Sequence, residues 1–381
     1  MTSRASFLRR KYRLKKDPFD SRVDLTAPMA DRREAQQKWT AVIERRKGLS
    51  GNSLNFIVGD YGLGKSYTLY QIGEQFKRDK GILPLYLKFL PEDTVQRFGL
   101  DFIQRMFRTL DPSRVTRRLP EKSFDKLAKL FPDVVVILEK YFSGDELAAA
   151  FLKGERPLTA AELKTLGTRR KLSSTEVAKD YLLAFLYLLR RSKISTLLLL
   201  VDEVEYVFSQ MTGAKVANVF NTLRDLYDLP QSPKSLELAQ PLANVIFFFG
   251  ISSAGWTRLN DLERREQRRG GPFQPFLDRK EEVVELQPLN KEEARELIEL
   301  RLCRDRVKGV LLDRPLIPYT EDFVEYIYQL TRGNPRHVVE RCDLVLLDGL
   351  RDMVPELNKA YARQVLESHG LLAAPREPSQ I

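Results

Sequence analysis

The sequence is poor in the residues that most often staple or ligate. It holds two cysteines, Cys303 and Cys342, and two histidines, His337 and His369. Four such isolated residues suggest neither a disulfide framework nor a zinc site. No apolar run approaches the roughly 20 residues that a membrane span needs. The longest, around Leu197–Val201, has the length of a strand. The basic N-terminus leads into no apolar segment, so no secretory signal, no membrane partner and a cytoplasmic location are expected. No stretch of the chain repeats another. What the chain lacks most visibly is charge balance: 63 Lys and Arg stand against 52 Asp and Glu, a net +11. Such a surplus favours polyanion partners such as nucleic acid. A surface rich in Arg, Lys and Glu also occurs in thermophile proteins, so charge alone leaves both readings open.

What is present is a soluble composition, 43% hydrophobic and 30% charged over 381 residues. That suits a sizeable core. Residues 1–16 carry Arg4, Arg9, Arg10, Lys11, Arg13, Lys15 and Lys16 and no acid, with Phe7, Leu8, Tyr12 and Leu14 interleaved. This reads as a basic arm, 1–27, that lies on nucleic acid, docks on a neighbouring subunit or serves as a solubilising tail. Strands are expected at Asn55–Val58, Leu83–Phe89, Thr196–Val201, Asn244–Ile251 and Val283–Leu286, with helices between them. Alternation of this kind implies a parallel, buried sheet. The interval from Lys65 to Asp202 far exceeds the about 30 residues of one strand–helix–strand unit. Residues 112–178 therefore read as an inserted helical subdomain, locally basic at Arg114, Arg117 and Arg118. Leu259–Gly271 reads as a charged segment. After Leu289 the period is helical over Lys291–Val307, Glu321–Thr331, Pro335–Asp352 and Asn358–His369. The expected organisation is an α/β domain over 28–288, an all-α lid over 289–370 and a tail over 371–381.

The chemistry is carried by Gly59-Asp60-Tyr61-Gly62-Leu63-Gly64-Lys65-Ser66, a full G-x-x-x-x-G-K-[ST] match between a strand and a helix. Glycines let backbone N–H groups curl around phosphate oxygens, and the helix start points its positive end at the same anion. Lys65 supplies a point charge for the β- and γ-phosphates, and Ser66 a hydroxyl for Mg²⁺. Tyr67 follows in the first turn. The second part is Leu197-Leu-Leu-Leu200-Val201-Asp202-Glu203, a buried strand that delivers Asp202 to its C-terminal end, where open α/β sheets place ligands. Asp202 is expected to hold the Mg²⁺ shell and Glu203 to polarise the attacking water. Glu205 reads as structural or supporting. Ser252 and Ser253 end the strand Asn244–Ile251. One hydroxyl there either hydrogen-bonds the γ-phosphate or its water, or only caps the strand.

Gly333-Asn334-Pro335-Arg336 opens a helix, with Pro335 at a favoured first position. Arg336 projects from the first turn, where it can reach over bound nucleotide. A trans-acting arginine is sought among Arg258, Arg264, Arg265, Arg268, Arg269 and Arg279, and Arg279, just before the last strand, is the choice.

The order of these motifs resembles that of the AAA+ ATPases, in particular the clade of origin-recognition and Cdc6-type initiators and transposition ATPases. Asp17-Pro-Phe and Ala30-Asp-Arg-Arg-Glu34 resemble the approach to the core in that clade. The resemblance implies that Pro28, Met29 and Arg32 help to cover adenine. Over about 28–350 the chain is more closely similar to the ATP-binding proteins of BREX phage-defence systems. Phe151-Leu-Lys-Gly154-Glu155, Leu166-Gly167, Val201-Asp202-Glu203-Val-Glu205 and Leu223-Arg224-Asp225 carry that likeness.

It implies ATP and Mg²⁺ as cofactors, a homo-oligomeric ring or filament with ATP at subunit junctions, and a helicase or other defence or replication partner. The sequence departs from the initiators after the lid, where no winged-helix domain is expected. DNA contact is then expected from the basic arm, Arg114–Arg118 or Arg264–Arg269. Two functions follow. One is a DNA-associated ATPase that remodels or loads a partner. The other is an ATP-dependent assembly switch or scaffold with little hydrolysis, as in initiator or transposition regulators.

Overall fold

The protein is described by a computed structural model over residues 4–20, 32–48, 51–89, 97–210, 213–238, 241–269, 276–308 and 314–372. The apolar runs form β1 (Ser53–Val58), β2 (Ile82–Lys88), β3 (Thr196–Asp202) and β4 (Asn244–Ile251), and the charged run Lys280–Glu285 forms β5. They make one five-stranded sheet in the order β2-β3-β4-β1-β5, and every neighbouring pair is parallel. Every residue of β1, β3 and β4 is buried, as near-continuous apolar strands covered on both faces must be. The one buried amide in β1, Asn55, donates from Nδ2 to the Phe247 carbonyl at 3.0 Å and to Ser53 Oγ at 2.8 Å, while its Oδ1 is buried without a partner. β5, exposed at Lys280 and Glu285, closes an edge.

Parallel strands put all their C-terminal ends at one side. The turn after Val58, Asp202 and Ile251 therefore end on the same side of the sheet. Arg279 precedes β5 and so lies at the opposite side.

Contacts divide the chain into two compact units, one within 37–58 and 65–285, the other within 1–36, 59–64 and 286–381. The first is the sheet unit. Its core runs without a break from the strands into residues 112–178, which were expected to form an inserted subdomain. The reason lies in the apolar face of the helix Pro132–Phe142, which buries Val134, Val135, Ile137, Leu138 and Tyr141. Tyr141 meets Phe107 edge-on at 5.7 Å, and Phe107 in turn packs on Phe185 at 5.5 Å. The charged segment Leu259–Gly271 is helical as far as Arg269, Gly270 and Gly271 lying outside the described residues. It continues the helix Ser253–Arg269, whose buried side holds Gly255, Leu259 and Glu263.

The second unit is built on the helices Lys291–Arg304, Glu321–Thr331, Pro335–Arg351 and Lys359–Ser368. Residues 4–20, expected to be an arm, are part of its core. Phe7, Tyr12, Leu14 and Phe19 are buried among the C-terminal helices. The Tyr12 hydroxyl donates to the Val354 carbonyl at 2.6 Å. Leu14 bridges antiparallel to Arg306, and Lys15 N–H donates to the Asp305 carbonyl at 2.8 Å. The interleaved apolar residues that looked incidental in a basic stretch are its anchors, while Arg9, Arg10, Lys11, Arg13 and Lys15 stay exposed.

The same segment brings two acids together. The Asp17 and Asp343 carboxyls hydrogen-bond one another, which requires a shared proton. Burial, the bond to Asp17 and the nearby Asp20 charge push Asp343 up to about 7. A raised carboxyl stabilises the fold fully below its unfolded pKa and loses that contribution as pH rises through the folded value. The urea midpoint of the helical unit is therefore expected to fall from about pH 5 to about pH 7, and Asp343→Asn to flatten the slope. A midpoint that climbs across this window would contradict the shared proton.

Candidate functional site

In the sheet unit the helix Lys65–Phe76 begins on Lys65 itself, so the ammonium stands at the positive end of a helix, an anion-binding position. Lys65 Nζ lies 3.9 Å from Glu205 Oε1, and its side chain is 11% exposed. The other Glu205 oxygen is buried without a hydrogen-bond partner. Burial pushes the Glu205 carboxyl up, and the Lys65 charge draws it partly back. Glu205, read from sequence as structural or supporting, is thus the acid that faces the loop lysine.

Asp202 ends β3 and is 1% exposed. Its two oxygens are held separately. Oδ1 accepts the Glu203 N–H at 2.9 Å, and Oδ2 accepts the Tyr86 hydroxyl at 2.6 Å. The Tyr86 oxygen also takes a hydrogen bond from Ser66, and burial and the Asp202 charge hold the phenol strongly against ionisation. Ser66 and Asp202 are in this way joined through one tyrosine. Glu203 follows the strand at φ 61°. That left-handed conformation is costly for a residue with a Cβ and is found at sites where a side chain must be aimed. Its Oε1 lies 3.5 Å from Lys88 Nζ, with both side chains partly exposed.

Tyr86 and Lys88 were missed in the sequence. The available signal was alternation, since positions 86 and 88 of one strand point to the same side, and the register sets Lys88 opposite Asp202.

Ser252 lies at the same sheet end. Its Oγ accepts the Gly255 N–H at 3.1 Å, at the start of the helix Ser253–Arg269. In this bond Ser252 serves the start of a helix. Arg279 bonds Asp228 of its own chain, Nε to Oδ1 at 3.2 Å and NH2 to Oδ2 at 2.9 Å. Its guanidinium also lies 5.8 Å over the Tyr227 ring. Arg114 donates to the Lys77 and Ile82 carbonyls, each at 3.0 Å, and Arg118 to the Lys80 carbonyl at 2.8 Å. These two guanidiniums are tied to main chain, while Arg117, Arg264, Arg265 and Arg268 are exposed.

By its contacts the loop Gly59–Gly64 belongs to the helical unit. Gly62 has φ +83°, and a Cβ there would stand 2.7 Å from Asn334 Oδ1, so only glycine fits. Asn334 caps the helix Pro335–Arg351 by accepting from the Arg336 and His337 N–H groups. With its other end it donates to the Tyr61 carbonyl at 3.1 Å. The Arg336 guanidinium stacks 4.7 Å over the Tyr61 ring, donates to the Tyr61 hydroxyl and reaches Glu340 at 2.8 Å. Arg32 donates to the Leu63 carbonyl at 2.8 Å. Pro28 and Met29, expected to cover adenine, lie outside the described residues, as does the Arg269 side chain.

Residues 129–309, just under half of the chain, match the family model of the BREX system ATP-binding protein BrxC/D. The match includes β3 with its acidic end, β4, β5 and the first helix of the C-terminal set. No curated protein matches the chain. Among solved structures it is similar to the ORC2 protein of Aeropyrum pernix in ADPNP–ADP complexes, at 13% identity and TM-score 0.54, over 93% of this chain and 71% of that one. It is also similar to Cdc6p of Pyrobaculum aerophilum, at 14% identity and TM-score 0.48, over 93% and 71%. A third is the Aeropyrum pernix ORC1 protein in complex with DNA, at 12% identity and TM-score 0.49, over 93% and 69%. The chain thus has a AAA+ fold of the kind seen in the ORC2 protein, and the stretch from residue 129 to residue 309 resembles the BREX ATP-binding proteins as its motifs led us to expect.

Proposed function

We propose that this protein is an ATPase that holds Mg·ATP on Gly59–Ser66 and cleaves it with Glu203. The observation that carries the reading is the grouping of Lys65, Ser66, Asp202 and Glu203 at one end of the sheet, with an acid set against Lys65. The donor set fits the ligand. Backbone N–H groups of Asp60, Tyr61, Gly62, Leu63, Gly64 and Tyr67, together with Lys65, suit phosphate oxygens. The oxygens of Ser66 and Asp202 suit magnesium, which takes few protein ligands and keeps its waters. When bound there, the metal would neutralise charge that develops on the phosphate oxygens. In this reading Glu203 draws a proton from the attacking water. Arg336 senses the nucleotide from the helical unit, Ser252 supports the water or the phosphate, and Arg279 serves a neighbouring subunit after leaving Asp228.

The wider role we propose is DNA-associated remodelling or loading of a partner, such as a helicase, by a cytoplasmic homo-oligomer in phage defence. Net charge +11 supports the nucleic-acid part, and the BREX match supports the defence part. Among the described residues, no helix is long and apolar enough to cross a membrane. A second reading, an assembly switch with slow turnover, is favoured by two pairs. Glu203 faces Lys88 at 3.5 Å, and Arg336 is held by Tyr61 and Glu340.

Glu203→Gln is expected to bind ATP as the parent does while its turnover falls by at least about a hundredfold. Calorimetry and phosphate release check this, and near-normal turnover by the variant removes Glu203 from the reaction. Turnover of the parent with and without duplex DNA, across a salt series, separates the two readings. The remodelling role requires stimulation that fades steeply with salt, because phosphate contacts release counterions. Slow turnover indifferent to DNA supports the switch.

A further inference from the structure

We propose that Tyr86 is a positioning residue for magnesium, holding Ser66 and Asp202 in register so that their oxygens present to the metal together. The inference rests on the Mg·ATP reading above and adds to it a residue outside both nucleotide motifs. Tyr86 sits on β2, paired with Leu200 of β3, two positions before the pair Lys88–Asp202. Its hydroxyl donates to Asp202 Oδ2 at 2.6 Å and receives a bond from Ser66. The bonds run in one direction, from the Ser66 hydroxyl to the Tyr86 hydroxyl to the Asp202 carboxylate.

Direction matters chemically. A serine that offers its oxygen to a cation must send its proton elsewhere, and the Tyr86 oxygen accepts it. The lone pairs of Ser66 are then left for the metal. At the other end a hydroxyl bonded to a buried carboxylate forms a short, charge-assisted bond. Together with the Glu203 N–H on Oδ1, it fixes the plane of the Asp202 carboxylate. Each Asp202 oxygen keeps a further lone pair. Partners that orient metal ligands in this way typically change metal affinity by about 10- to 100-fold when removed. A tyrosine that only filled space would not have this effect, since phenylalanine keeps the ring.

The test uses the full chain and a fluorescent ATP analogue, first in EDTA and then titrated with MgCl₂. The parent, Tyr86→Phe and Tyr187→Phe are compared, Tyr187 being another buried tyrosine of the sheet unit. For Tyr86→Phe the affinity in EDTA should stay within about twofold of the parent, while the half-saturating Mg²⁺ concentration rises about tenfold or more. Tyr187→Phe should match the parent in both. An unchanged Mg²⁺ midpoint for Tyr86→Phe overturns the positioning role. Weakening in EDTA to the same degree as in Mg²⁺ also overturns it, because a merely structural residue behaves that way. If the parent itself binds the analogue no better than Lys65→Ala does, the Mg·ATP reading fails, and the role of Tyr86 fails with it.

Discussion

A lysine ammonium that is nearly out of solvent must face an anion, and much of the sheet end is arranged around that requirement at Lys65. The loop and the start of its helix bring the charge there, and Glu205 stands against it at 3.9 Å. Asp202 and Glu203 complete a group of three acids within four residues. In our proposal, carboxylates this close to a bound triphosphate would repel it. A divalent cation accompanying the phosphates removes that obstacle. Asp202, the acid that holds the metal in our proposal, belongs to that group.

The parallel sheet makes the arrangement possible. Because every strand runs the same way, the end of β1 and the end of β3 deliver their residues to one side although β4 separates them. The price is full burial of β1, β3 and β4. The sequence meets it with runs of Leu, Ile, Val and Phe, among which β1 admits the amide of Asn55 and β4 that of Asn244. In the helical unit the constraint is different. There the loop backbone accepts the cap of a helix, with Asn334 serving the helix start and the Tyr61 carbonyl at once. Gly62 must lack a side chain for the contact to form.

The strands, the glycine loop and the acidic end of β3 were legible because each is written in contiguous residues with a physical reason for its composition. What was not legible depends on partners distant in sequence. Phe7, Tyr12, Leu14 and Phe19 looked like interruptions in a basic arm. Leu8–Tyr12 forms a wide helical turn, so their spacing follows neither the helical nor the strand period, and their partners lie some 300 positions away. Tyr86 gave no motif because its role comes from the register between β2 and β3. The helix Ser253–Arg269 was hidden by its charge, and the merging of 112–178 with the sheet core by punctuating prolines. Arg279 was placed correctly before β5, but its bond to Asp228 needed the fold to be seen.

The proposed activity depends first on the loop Gly59–Ser66 holding a triphosphate. Calorimetric titration of Mg·ATP into the full chain and into Lys65→Ala measures it most directly. The parent should bind and the variant should bind at least about a hundredfold more weakly, a loss near 2.7 kcal/mol. Equal affinity of the two proteins would contradict the central claim.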